Sequence, residues 1–485
     1  MAEGIPALQK LAAELRAEAD RVVVVGAGGA ALSAEIFAGA FPPIAGFPRL
    51  SVLDSTEPSA VAAAASELDF GRTIFVVASR TGSPLETGLL FDYFWDAAVR
   101  RLGDEAAGRR LIVVTEEGSA FATAAAKRGA RGLLPADPGT PSVFGPLSNF
   151  GLVPAALTGW DVGELLERAR AMAEACRAPG AENPGLLLGA ALGAEALGGC
   201  DKLTFCGSAA LRPFETWIEA LIASATGKEG KGIVPIGGEP LGGPEVYGSD
   251  RFFARIEMAD AADTGADHRL ATLVEHGHPM AGFILKDPLD LGAEIFRWQF
   301  AAAVAGQLLA VNPFDEPDLA DGRARISRIL SGSAAEASVA EAASADAFPR
   351  LLASIRSGDY FAISAFLPQR PSIEGPLEAL RLAVRKARRV ATTLGFGARV
   401  EQVAGQLHKG GTARGAFLQL TGAPAGDVAI PGRPWGFATV FAAESDADLE
   451  GLAARRRRAA RVHLGADVEK EIMNLAASVE REAAA

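Results

Sequence analysis

The chain has 485 residues, enough for about three domains at ~150 residues each and for a large core without disulfide or metal staples. It is 49% hydrophobic, 22% charged and only 7% aromatic, and its 47 basic against 59 acidic residues give a net charge of −12. That balance argues against a general nucleic-acid binder, which needs a basic surface. No apolar run approaches the ~20 residues that span a bilayer, so no membrane association is expected. Three cysteines (Cys176, Cys200, Cys206) with no CxxC pair cannot form a disulfide framework, and a reducing, cytoplasmic setting is expected.

In chain order, an amphipathic helix is predicted around Leu8, Leu11 and Leu15, and short β-branched runs follow at Val22–Val25, Leu50–Leu53, Ile74–Ala78, Leu111–Thr115 and Gly132–Leu134. Helix-length stretches separate them at Ala30–Ala40, Glu57–Glu67, Pro84–Leu102 and Ser119–Arg128. Near-continuous apolar strands alternating with helices predict βαβ units around a buried parallel sheet. A Pro/Gly stretch (Pro135–Pro146) and a helix (Val162–Cys176) close this unit, and Ala178–Gly185 looks like a boundary.

The plan then restarts. Leu203–Cys206, Phe253–Met258, Leu270–Val274 and Met280–Leu285 are strand candidates, with helices at Pro213–Ala225 and Ala293–Leu309. Two units of similar plan suggest an internal duplication. After a Ser/Ala-rich stretch (Ser331–Ala347), strands are expected at Tyr360–Phe366, Ala416–Thr421 and Phe437–Phe441, with helices at Gly375–Leu394 and Ala447–Arg461. The run Arg455–Arg458 is read as a solvated helix face offset by Asp446, Asp448 and Glu450.

Two loops carry chemistry. In Val22–Phe37 a strand runs through Gly26, Gly28 and Gly29 into a helix, and Asp54 ends the next strand. This fits a dinucleotide fingerprint and equally a tight strand–helix turn with no ligand. The second loop, Ser79-Arg80-Thr81-Gly82-Ser83-Pro84-Leu85-Glu86-Thr87, puts four hydroxyls, a guanidinium and a glycine at a helix N-terminus. Hydroxyls and free N–H groups can encircle a phosphate there. A helix cap alone needs one hydroxyl.

The strand–SRTGSPLET–helix segment resembles the SKSGTTLET phosphate loop of sugar isomerase (SIS) domains. The segments Leu147–Leu166, Thr226–Gly248, Val311–Arg323, Gly405–Gly411 and Ile430–Phe437 extend the likeness in order along nearly the whole chain. Together they resemble the glucose-6-phosphate isomerase family, most nearly the isomerase half of bacterial transaldolase/phosphoglucose isomerase fusions. No transaldolase segment precedes residue 1, so that activity is not expected. The resemblance implies an α/β fold of two SIS-type doubly wound parallel-sheet units (residues 1–177 and 178–345), with helices on both faces. A C-terminal α/β segment (346–485) would pack on the second. It also implies a sugar phosphate as ligand, no metal or organic cofactor, and a homodimer.

The resemblance implies a phosphate site at Gly29, Ser79, Arg80, Thr81, Ser83 and Thr87. Several family catalytic positions are substituted. The carboxylate base of the family falls on Ser224 and its arginine on Val143. A glutamine becomes Glu316 and a lysine becomes Arg323, while the ring-opening histidine falls near Glu245. Glu229, Glu239, Glu245 and Glu316 are candidates for a relocated carboxylate, with Arg80 and Arg323 keeping two positive charges for an anionic ligand. His408-Lys409 in a Gly-rich loop is a candidate for lining the site. His268, His276 and His278 lack partners at metal-ligand spacing, and Cys206 reads as a buried apolar residue rather than a nucleophile. Two readings stay open: an aldose–ketose isomerase, and a non-catalytic sugar-phosphate sensor or partner subunit.

Overall fold

Val22 to Val25 are all fully buried, because both faces of the strand they form are covered by helices. The computed structural model describes residues 4–39, 43–82, 84–260, 264–332 and 342–484. The first unit runs α1 (Ile5–Leu15), β1 (Arg21–Gly26), α2 (Gly29–Gly39), β2 (Arg49–Leu53), α3 (Pro58–Glu67), β3 (Thr73–Ala78), α4 (Leu85–Leu102), α5 (Asp104–Arg109), β4 (Leu111–Thr115), α6 (Ala120–Lys127), β5 (Gly132–Pro135), α7 (Asn149–Leu157) and α8 (Val162–Ala175). Its sheet is wholly parallel in the order β2-β1-β3-β4-β5. Local chemistry marks the helix starts. Glu57 caps α3, with Pro58 at its first position, and Ser119 and Asp161 cap α6 and α8.

The second unit comprises α9 (Pro184–Leu197), β6 (Lys202–Phe205), α10 (Arg212–Thr226), β7 (Val234–Ile236), β8 (Arg251–Met258), α11 (Thr264–Glu275), β9 (Met280–Leu285), α12 (Leu291–Leu308) and α13 (Pro317–Leu330). Its parallel sheet has the order β7-β6-β8-β9. The third comprises α14 (Ala347–Ala353), β10 (Tyr360–Phe366), α15 (Pro371–Arg388), β11 (Ala391–Phe396), α16 (Arg399–Gly410), β12 (Gly415–Gly422), α17 (Phe437–Ala454), β13 (Arg458–Leu464) and α18 (Val468–Ala484), around a parallel sheet β11-β10-β12-β13. The architecture is therefore α/β with three parallel sheets. Among the described residues no helix is long and apolar enough to cross a membrane.

One apolar core joins the first two units, from Val22 and Ile36 through Phe150 to Trp217 and Trp298. The third unit has its own core around Phe361, Leu377 and Leu418. It meets the second unit where Val234 and Ile236 pack with Ala391 and Leu407. It also meets the first, through Tyr93 against Phe437 and Thr56 bonded to Glu444. The C-terminal segment thus packs on both preceding units.

Several expectations need correction. Leu270–Val274 lies in α11, and Phe437–Phe441 opens α17, whose N-cap is Gly436 and whose Ala438 N–H donates to the distant Asp427 at 2.8 Å. Both are short apolar runs that period alone cannot assign. The expected helix Gly375–Leu394 stops at Arg388. Arg389 adopts a left-handed conformation (φ 53°) that terminates α15, and β11 follows. Gly is the usual residue in such a C-terminal position, so an arginine there left no stop signal.

The expected helix Ala447–Arg461 likewise ends at Ala454, and the arginine run leaves it. Arg455 pairs with Asp318, Arg457 donates to the Lys409 and Gly411 carbonyls, and Arg458 pairs with Asp359. Arg455 and Arg456 are exposed, as a solvated face requires, while Arg457 and Arg458 tether elements. Within the Ser/Ala-rich stretch, residues 333–341 lie outside the described residues.

Candidate active site

The second loop forms a tight turn between β3 and α4. Ser79 Oγ accepts from the Gly82 N–H at 3.1 Å, and Gly82 has φ 70°, which favours glycine. The Arg80 carbonyl accepts from the Glu116 N–H and from Thr115 Oγ1. Arg80 itself pairs with Glu116 at 2.8 Å, so the loop's own cation is neutralised. Ser83 lies outside the described residues.

Just inside α4, Glu86 and Thr87 are buried. Neither Thr87 Oγ1 nor Glu86 Oε2 has a hydrogen-bond partner among the described residues. Burial pushes the Glu86 carboxyl up, against the opposing field of Arg323 on α13. Packing explains this approach, since Leu85 sits among Ile326, Ile329 and Leu330 of α13. The structure therefore packs α13 near the start of α4, where Glu86 and Gly322 line one small cavity.

The first glycine loop is covered. Gly28 has φ 60°, and a Cβ there would lie 2.7 Å from Gln402 Oε1 of α16. A Cβ on Gly29 would lie 2.2 Å from the Val143 nitrogen, so only glycine fits against the Ser142–Val143 peptide. Val143 is buried, and its carbonyl accepts from Trp217 Nε1 at 2.7 Å. Asp54, the acid of the dinucleotide reading, is taken by Arg399 at 2.7 Å.

Of the four relocated-carboxylate candidates, one meets Ser224. Ser224 Oγ on α10 donates to Glu316 Oε1 at 2.7 Å. Glu316 is held because it precedes Pro317 at the start of α13. Next to it, Asp315 pairs with Lys228 at 2.8 Å. Glu229 is exposed on a left-handed turn (φ 55°), and Glu245 is exposed on a short turn at Pro244–Val246. Glu239 is fully buried against Arg251 and accepts from Thr392 Oγ1 at 2.7 Å. Burial works to raise its pKa, but Arg251 and Arg381 overcome this and hold it low. It is a structural anion.

His408 is buried between the rings of Tyr360 and Phe417, and burial lowers its pKa to about 4. Lys409 is buried between Glu401 and Asp448. His278 packs on Tyr247 and Phe253. Burial raises the Cys206 thiol to about 12, as an unreactive cysteine requires.

Sequence reasoning missed α16. Besides Gln402 over Gly28, its Gln406 donates to Asp318 Oδ2 at 2.8 Å and to the Gly227 carbonyl at 3.1 Å. These bonds tie α16 to the start of α13 and the end of α10. The signal was faint: two glutamines in the helix Arg399–Gly410, far along the chain from the loops they touch.

No family model matches the chain. It is 27% identical over 368 residues to the glucose-6-phosphate isomerase of Rubrobacter xylanophilus, covering 66% of this chain and 85% of that protein. Against the glucose-6-phosphate isomerase of Symbiobacterium thermophilum it is 27% identical over 383 residues, 69% of this chain and 85% of that one. A hypothetical protein from Thermus thermophilus superposes with TM-score 0.62 at 23% identity, covering 68% of this chain and 89% of that one. A glucose-6-phosphate isomerase from Chlamydia trachomatis superposes with TM-score 0.58 at 18% identity, covering 68% and 73%. These two superpositions show a common fold. In sequence over about two thirds of its length, and in fold, this chain resembles the glucose-6-phosphate isomerase family.

Proposed function

We propose that this chain binds a hexose 6-phosphate at the Ser79–Thr87 loop and interconverts its aldose and ketose forms, with Glu316 as the proton-transfer base. The observation that carries this reading is the 2.7 Å hydrogen bond from Ser224 Oγ to Glu316 Oε1. Moving a proton between C2 and C1 of an open-chain sugar phosphate needs a general base beside those carbons, and a carboxylate can serve. In the resemblance that carboxylate belongs at residue 224. Here a serine occupies the position and donates to a carboxylate from the neighbouring helix start, which restores the missing group one hydrogen bond away.

The base removes the C2 proton to give an enediolate and returns a proton to C1. No electron carrier is needed, because oxidation of C2 balances reduction of C1 within one molecule. Arg323, seven residues along from Glu316 and next to Gly322, which lines one small cavity with Glu86, is the cation this reading assigns. Val143 supplies none at the family's arginine position, which removes a term worth ~10²–10³-fold. Slow turnover relative to the relatives follows.

The sensor reading draws on a specific observation too: Val143 is 3% exposed, sealed beneath the first glycine loop. An assay of glucose 6-phosphate conversion on wild type and Glu316→Gln separates the two. Turnover that Glu316→Gln abolishes supports the isomerase. Saturable binding without turnover selects the sensor. We also infer a homodimer, as the resemblance implies. Exposed Leu187, Leu197 and Leu308 on α9 and α12 offer an apolar face for it.

A further inference from the structure

A cavity of about 380 Å³ opens where α2, α10, the end of β11 and one face of α16 from Arg399 to His408 meet. Among the described residues, none of those in Ser79–Thr87, nor Ser224, Glu316 or Arg323, lines it. Its size falls within the range of small-molecule sites, and all three units contribute to its wall.

The charged groups of this wall come as two ion pairs. Arg399 reaches Glu35, and Asp54 stands behind it at 2.7 Å. Arg212 reaches Glu219 at 3.1 Å and Glu215 at 3.3 Å. Thr216, Gln369 and Thr393 add uncharged polar groups, while Leu394, Phe396, Val400 and Val403 form an apolar side. An anion entering here would meet Glu35 and Glu219, and a cation would meet Arg212 and Arg399. Either would have to break an ion pair. A hydroxyl both donates and accepts, so a neutral polyol can bond to both members of each pair and leave them joined. Its C–H faces suit the apolar side.

The cavity also shares a helix with the candidate active site. Arg399, Val400 and Val403 of α16 line the cavity. Gln402 and Gln406 of the same helix touch Gly28, Gly227 and Asp318. We propose that this cavity is a second binding site, for a neutral hydroxyl-rich small molecule such as an unphosphorylated sugar or polyol, and that α16 is the wall it shares with the candidate active site. The proposal holds whether or not the Ser79 loop binds a phosphosugar.

The test is calorimetric titration of the full chain with glucose and with sorbitol, in excess inorganic phosphate. Thr216→Phe, which fills the cavity, Thr393→Val, which removes one hydroxyl, and Ser79→Ala are titrated alongside. The expected result is saturable binding of at least one polyol that phosphate leaves intact and Ser79→Ala does not change. Thr216→Phe should weaken it by ~10-fold or more, and Thr393→Val by a smaller factor. If Thr216→Phe fails to fold, Thr393→Val carries the comparison. The absence of saturable binding by either polyol overturns the proposal. So does binding that phosphate displaces, that Ser79→Ala weakens, or that the cavity variants leave unchanged. Failure of phosphosugar binding at the Ser79 loop would leave this result untouched.

Discussion

Glu316 Oε1 accepts a hydrogen bond from Ser224 Oγ at 2.7 Å, joining the start of α13 to the last turns of α10. Replacing the carboxylate by an amide keeps the size and removes the base. Glu316→Gln is expected to lower turnover by ~10²-fold or more, with little change in KM. Glu245→Gln, at an exposed position, is expected to leave steady-state kinetics unchanged.

On the proposed reading, putting a glutamate at 224 should not simply raise activity. Ser224→Glu puts a second carboxylate within hydrogen-bond reach of Glu316, and two like charges that close cannot both ionise freely. The double variant Ser224→Glu/Glu316→Gln is therefore expected to be faster than Ser224→Glu alone. Val143→Arg forces a cation into a site 3% exposed, so thermal unfolding should show a clear drop in Tm. A faster Ser224→Glu single variant would count against the geometry described above.

The Ser79 hydroxyl holds the Gly82 N–H, which sets the shape of the turn. Ser79→Ala is expected to weaken phosphosugar affinity by ~10-fold, read by titration. Arg80→Ala should matter less than a free phosphate-binding arginine would, because Glu116 already pairs with it.

Glu239 and Arg251 form an ion pair in which both side chains are fully buried, with Arg381 close to the same carboxylate. Glu239→Ala would strand these cations in the interior. A loss of ~3–5 kcal/mol in unfolding free energy is expected from denaturant titration.

Burial raises Glu294 on α12 to about 7, with Oε2 lacking a hydrogen-bond partner among the described residues. Its folded pKa exceeds the ordinary value near 4.5, so the folded state holds the proton more tightly. The stability it contributes is present below pH 4.5 and is lost as pH rises toward 7. Glu294→Gln should flatten that part of the stability profile relative to wild type, as measured by unfolding at a series of pH values.

Much of the first unit was legible because its signals are local. Val22–Val25 and Ile74–Ala78 are continuous apolar runs, and both form central strands of a parallel sheet. The Ser79–Thr87 loop was visible for the same reason: its hydroxyls lie within nine residues of one another. The last third was harder to read, since Arg389 ends α15 with no glycine, and α17 starts at a glycine N-cap with its side-chain acceptor, Asp427, eleven residues away from Ala438. The covering of the glycine loop by Gln402 could not be read at all, because it depends on how the third unit packs on the first. Choosing Glu316 over Glu229, Glu239 and Glu245 likewise required three-dimensional proximity to Ser224. Sequence distance pointed the other way, because Glu316 lies 92 residues from Ser224.

The most direct measurement is hydrogen exchange at C2 of glucose 6-phosphate in deuterated water, followed by NMR with wild type and Glu316→Gln. It detects proton removal even where net isomerisation is slow. The account predicts deuterium incorporation at C2 by wild type that falls to background in Glu316→Gln, while both proteins still bind the sugar phosphate. Exchange at equal rates in the two proteins, or none in wild type despite saturable binding, would contradict it.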